Sequence, residues 1–268
     1  MRIWFLCLLA AAGLTACAHR PAAPPIGSGD SAPLRPLDVS RVPDAVPRHE
    51  PRSRYGNPPH YEVFGQRYHV LNTADGFVER GIASWYGNKF HGRRTSSGEP
   101  YDMYVMTAAH KHLPLPSYVE VTNLNNGRKV VVRVNDRGPF MKNRVIDLSY
   151  AAAHRLDMLG TGTAPVEIRA LIPGKTPQVV TTSTDSAAKI AYYIQAGAFS
   201  DRTNADRLLG RLDSYRLGVP SRLDTVERGG RLLHRVRLGP VPTISEVDRL
   251  SATLAKLGLQ DAQVVIND

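Results

Sequence analysis

Among the side chains in the middle of the sequence that can move protons are Glu99, Asp102, His110 and Asp136. Carboxylates and imidazoles are the groups most often used for that work near neutral pH. Asp136 has the most pointed setting. It lies in Arg133-Val-Asn-Asp-Arg-Gly-Pro-Phe140, where a valine-rich run stops abruptly. Asn and Asp bond back to the backbone, Gly accepts positive φ, and Pro cannot continue a ladder, so the stretch alone reads as a turn. Read as chemistry, it is a carboxylate carried at the tip of a strand. Arg137 would favour the ionised form if the two side chains touched. Neighbours on an extended segment point apart, which leaves Asp147 or Glu99 as partners for Arg137. Glu99 and Asp102 share a loop with Gly98 and Pro100. Repulsion between them would raise a carboxyl pKa; a solvated acidic turn is the plainer reading. His110 is open to two readings, one orienting a carboxylate and one bonded to backbone at a strand end. With His112 it makes two nitrogen ligands and no thiolate, too weak a set for a metal. No metal and no cofactor are expected.

The elements that must carry these groups are mostly short strands. Gly81-Ile-Ala-Ser-Trp-Tyr-Gly87 is one, and Tyr118 to Leu124 alternates at period two. Asn125-Asn-Gly-Arg128 is a hairpin turn by composition. Lys129 to Val134 returns with Val130, Val132 and Val134 on one face. Ser149 caps a helix from Tyr150 to Leu159 that stops at Gly160, and Pro165 to Leu171 is a last strand. Many short strands with one helix predict a small barrel. Thr, Ser and Pro then dominate residues 173–189, a linker. Beyond it, strand, helix, two strands around Gly229-Gly230, a helix boxed by Thr243 and Glu246, and a final strand give βαββαβ, a ferredoxin-like α+β unit.

The chain of 268 residues suits two modest domains with linkers. Its net charge of +10 raises nucleic acid as a partner, but residues 61–172 hold 14 Lys/Arg against 10 Asp/Glu and 190–268 hold 11 against 9. An excess spread that thinly makes no basic stripe. RNA-recognition domains share the βαββαβ order and stack bases on central-strand aromatics. His234-Arg-Val-Arg-Leu238 offers Arg at those places, so nucleic acid is not expected.

Residues 1–16 read as an export signal, with Arg2, an apolar stretch from Ile3 to Ala12, and Leu14-Thr-Ala-Cys17. That tetrad resembles the lipobox of bacterial lipoproteins. The resemblance implies cleavage before Cys17, a lipid on its thiol and, with Ala18 next, an outer-membrane anchor facing the periplasm. With Cys7 removed and Cys17 lipidated, no thiol remains for a disulfide. Residues 17–60 hold ten of the 20 prolines and few large apolar residues, a tether not expected to bury a core.

Gly81-Ile-Ala-Ser-Trp-Tyr-Gly, Arg94-Thr-Ser-Ser-Gly-Glu-Pro-Tyr-Asp102, Thr107-Ala-Ala-His110 and Asn135-Asp-Arg-Gly-Pro-Phe140 together resemble the rare lipoprotein A family. The resemblance implies a six-stranded double-psi β-barrel over residues 61–172. Tyr193-Ile-Gln-Ala-Gly-Ala-Phe199 and Arg235-Val-Arg-Leu-Gly-Pro240 resemble a SPOR domain over 190–268. The family implies an endolytic lytic transglycosylase. It would cut between MurNAc and GlcNAc in glycan strands lacking stem peptides, during septal wall processing, with division-site proteins as further partners. Asp136 matches its catalytic acid/base, and Glu99, Asp102 and His110 match further functional positions. Ordinary glycosidases usually need two carboxylates; one suffices where the sugar's own C6 hydroxyl attacks C1 to leave a 1,6-anhydro end. Trp85 and Tyr86 are either sugar-stacking surfaces or barrel core. In the SPOR unit, alternation puts Gln195, Arg235 and Arg237 on the open sheet face as glycan contacts. A non-catalytic, expansin-like wall-binding protein is the alternative reading.

Overall fold

The computed structural model describes residues 31–33, 38–175 and 190–266. The signal segment with Cys17 and the 176–189 part of the linker lie outside the described residues. A hairpin comes first, β1 (His60–Val63) against β2 (Gln66–His69), turning at Phe64 and Gly65 with φ of 51° and 75°. Two positive φ values in a two-residue loop match the twist of the flanking strands.

Six strands then close a barrel: β3 (Val78–Tyr86), β4 (Thr107–His110), β5 (Ser117–Asn123), β6 (Lys129–Asp136), β7 (Arg144–Ser149) and β8 (Ala164–Leu171). Around the barrel they run β3-β7-β4-β6-β5-β8. The β3–β7 and β4–β6 pairs are parallel and the others antiparallel. This is the closed six-stranded architecture the resemblance implied. The interior is filled by Val130, Val132 and Val134 of β6 with Val119, Val121, Ile146, Leu148, Val166 and Ile168. Burying each such side chain stabilises the fold by about 1.5–3 kcal/mol. Helix α1 (Tyr150–Arg155) starts at Ser149, whose hydroxyl accepts from Ala152 N, and is shorter than its sequence suggests. Asp157 at φ 57° turns the chain away before Gly160.

Residues 38–59 differ from the expected tether. Val39 is buried, Ala45 N donates to Val131 O, and Ser53 N donates to Leu115 O. The side chain of Asn57 donates to Ser53 O and Leu115 O and accepts from Leu115 N. A proline-rich segment cannot join a ladder fully, but it can be held on a barrel by single backbone bonds.

The second unit holds β9 (Tyr192–Phe199), α2 (Arg202–Ser214), β10 (Ser221–Arg228), β11 (Arg231–Val241), α3 (Ile244–Lys256) and β12 (Gln263–Ile266). Its antiparallel sheet runs β10-β11-β9-β12. Asp201 caps α2 and Thr243 caps α3. Leu208, Leu212, Val247, Leu250 and Leu254 bury one helix face each in a cluster with Ile194, Val236 and Leu238 of the sheet.

Candidate active site

Asp136 ends β6 beside β4, at the rim of the barrel. The ladder between these strands skips one residue: Ala108 faces Val134 and Ala109 faces Asp136, so Asn135 is an extra residue on β6. A bulge re-aims the side chain that follows it. Three donors meet on one oxygen of Asp136. Ser96 N donates to Oδ1 at 2.8 Å, Ser96 Oγ at 2.6 Å and Arg137 N at 2.7 Å. Oδ2 accepts no hydrogen bond among the described residues. The donors therefore fix the plane of the carboxyl group and leave its other oxygen without a hydrogen bond among the described residues.

Ser96 belongs to a loop that the sequence marks only by its turn residues. Thr95 N donates to Glu99 O, Gly98 N to Thr95 O, and Gly98 takes φ 94°. Ser97 N donates to Asn135 O, and Ser53 Oγ donates to Ser97 O. The loop is thus tied to the bulge on one side and to the 38–59 segment on the other.

The guanidinium of Arg137 turns away from Asp136, into carbonyl oxygens rather than to Asp147 or Glu99. Nε donates to Gly56 O at 2.8 Å, Nη1 to Leu113 O at 2.6 Å and His110 O at 3.1 Å, and Nη2 to Asn57 Oδ1 at 3.3 Å. The Tyr61 ring lies 5.7 Å from it. Tyr61 itself stacks on Tyr68 and meets Phe140 edge-on. Gly56, Pro58, Tyr61, Val63, Ser96, Arg137 and Phe140 line a cleft of about 370 Å³.

Glu99 is held as an ion. Arg133 grips it with two bonds, 2.7 and 3.0 Å, and Asn135 Nδ2 donates to it at 2.9 Å. Burial pushes its pKa up, but these bonds outweigh burial and the net shift is downward. Repulsion from Asp102 does not govern it. Asp102 accepts from Tyr104 N and lies 3.8 Å from His91 Nδ1, half exposed. Glu50, from the segment read as tether, takes the other side of Arg133 at 2.8 and 3.0 Å and also accepts from the Tyr118 hydroxyl. The Arg133 bonds hold the Glu50 carboxyl at about 2, against an ordinary 4.5. A depressed carboxylate pKa adds stability above the unfolded value and loses it as pH falls through the folded one. The unfolding midpoint of the protein should therefore drop between pH 4.5 and 2. In Glu50→Gln that acid slope should be shallower. An unchanged slope would remove Glu50 from the network.

His110 does orient a carboxylate, but the partner is Glu79. Its Nδ1 accepts from His112 N and Leu113 N, both at 3.1 Å, so the proton sits on Nε2, which donates to Glu79 at 3.0 Å. Burial lowers its pKa and keeps it neutral. Its side chain bonds neither Asp136, Glu99 nor Asp102. It shapes the 110–113 turn whose carbonyls hold Arg137.

Tyr86 is core. It is buried and stacks on Tyr101 at 4.0 Å, so it offers no face to a sugar. Trp85 is half-buried against Tyr150 at the edge of the same core. In the second unit Gln195 and Arg235 are half-buried, but Arg237 is only 1% exposed. Alternation sends it to the open face as expected. There Gln195 and Arg222 flank it on the neighbouring strands, and it pairs with Asp224 at 3.5 Å. Arg237 is therefore a support beneath the face, not a surface contact. The Arg222 guanidinium lies 4.2 Å over the Tyr193 ring on that face, a pair the sequence reading missed.

Residues 78–168 match the lytic transglycolase family and residues 188–266 match the SPOR domain. The chain is 39% identical to the endolytic peptidoglycan transglycosylase RlpA of Pseudomonas aeruginosa, over 85% of this chain and 82% of that one. It is 44% identical to the protein of that name from Vibrio cholerae, over 80% and 78% of the two chains. The Neisseria meningitidis namesake is 56% identical over 44% of this chain and 50% of its own. With its barrel and its C-terminal unit both matched, and with relatives of this identity aligned over most of their length, the chain belongs to the RlpA family.

Proposed function

We propose that the protein is an endolytic lytic transglycosylase that cuts MurNAc–GlcNAc bonds in glycan strands free of stem peptides, with Asp136 as its acid and base. The observation that carries this is the asymmetry of the Asp136 carboxyl: among the described residues, three donors meet Oδ1 and none meets Oδ2. Asp136 gives its proton to the glycosidic oxygen as the bond from C1 breaks. The MurNAc C6 hydroxyl closes on C1, and its proton returns to the carboxylate. The bond lost is replaced by one within the same sugar, so no water is consumed. Glu99, ionised by Arg133, cannot supply that proton. It serves as a fixed negative charge and a hydroxyl acceptor near the developing cation. The cleft beside Ser96 and Arg137 suits a sugar ring next to the scissile bond.

The C-terminal unit fits the role of holding the strand through Tyr193, Gln195, Arg222 and Arg235. The test is digestion of purified strands with and without stem peptides, read by mass spectrometry. Anhydro ends from peptide-free strands support the reading. Strands bound but never cut would favour the expansin-like alternative. An outer-membrane anchor through Cys17, enrichment at the septum and contact with division-site proteins belong to the same proposal. Labelled palmitate should enter the full chain and not Cys17→Ser; equal labelling would overturn the anchor.

A further inference from the structure

We infer that the C-terminal unit is docked on the barrel as a fixed part of it, and that it clamps the segment leaving the active site. The sequence suggests two independently folded pieces joined by a Thr/Ser/Pro linker, and the contacts tie the two together. Arg144 opens β7, in the segment that follows the Asp136 turn. Its guanidinium grips both carboxylate oxygens of Asp248 on α3, at 3.1 and 2.6 Å. The Arg144 side chain is only 5% exposed. Asn143, at φ 67°, aims its amide at the same carboxylate from 3.4 Å, and Lys142 Nζ reaches Gln260 O at 3.4 Å. Three consecutive barrel residues therefore hold the second unit.

Apolar packing supports the same dock. Ala83 of β3 belongs to the barrel interior, so by alternation its neighbour Ile82 faces out. Ile82 is nevertheless fully buried, in one cluster with Val247, Leu250 and Leu254 of α3, and Leu124 packs on that cluster too. Strand β12 lies alongside β3. An outward isoleucine and a buried arginine are what a free barrel would not carry without cover: the first loses its burial, and the second needs its carboxylate. The dock fixes the glycan-holding face at a set offset from Asp136. A strand held there is presented to the acid in one register rather than searched for. That consequence rests on the proposed role of Asp136; the dock itself does not.

Backbone relaxation of the isotope-labelled full chain separates the two cases. A docked protein gives one rotational correlation time for residues of the barrel and of the C-terminal unit. Asp248 is partly exposed, so Asp248→Arg should fold normally while facing Arg144 with a like charge. It should lose the common correlation time, with the C-terminal unit tumbling faster. Ile82→Ser should do the same from the barrel side, with both members of the ion pair kept. Two correlation times in the parent would overturn the inference, as would a single shared time in both variants.

Discussion

Asp136→Asn should give a folded protein that makes no anhydro-ended products. The amide oxygen of Asn can still accept from Ser96 N, Ser96 Oγ and Arg137 N, so the loop and the bulge keep their ties. Asn also suits the turn as well as Asp does. What it cannot do is release a proton and take one back. General acid–base help is typically worth about 10²–10⁴-fold in rate, and turnover should fall by at least that much. Melting temperature and product yield, measured on the same preparation, check both halves. Full activity in a folded variant would make Asp136 a turn residue and move the acid elsewhere.

Arg137→Ala should do the opposite, damaging the fold first and the chemistry through it. Gly56 O, His110 O and Leu113 O all accept from this one guanidinium. Removing the donor strands acceptors that were arranged around a charge, at about 1–3 kcal/mol for each buried group left unpaired. The losses are not additive, so a drop of roughly 3–5 kcal/mol in denaturant unfolding is the expectation. Arg137→Lys should recover little, because an ammonium cannot fork toward carbonyls in several directions. Activity should fall with stability, since the guanidinium anchors the residue whose backbone N–H, kept in Ala, must stay in place to donate to Asp136. A variant as stable as its parent would mean that water replaces the guanidinium without loss.

The parts of this site that could be read from the sequence are those with a local signature. Val130, Val132 and Val134 alternate, and their strand must end where Asn-Asp-Arg-Gly-Pro begins. Ser149 and Thr243 announce helix starts by residue type and spacing. The long-range ties had no such signature. Arg133 alternates outward as any solvated arginine would, and nothing beside it says that Glu50 and Glu99 grip it from both sides. Glu50 was hidden further by its proline-rich surroundings, because a segment held by single backbone bonds leaves no hydrophobic period. The bulge at Asn135 is one extra residue on one strand, invisible until the partner's register is known. Arg237 shows the limit of alternation itself. Its face was right, but alternation does not say how much neighbouring side chains will cover.

The central claim is that one carboxyl group cuts the strand without water. Digestion of peptide-free glycan in water enriched in oxygen-18 tests it most directly, since the source of the new oxygen at C1 distinguishes the two chemistries. If Asp136 passes a proton while the MurNAc C6 hydroxyl closes the ring, the new ends are anhydro sugars free of the heavy isotope, and Asp136→Asn yields none. Reducing ends carrying oxygen-18 would contradict the account, because they would require a water molecule and a second group to activate it.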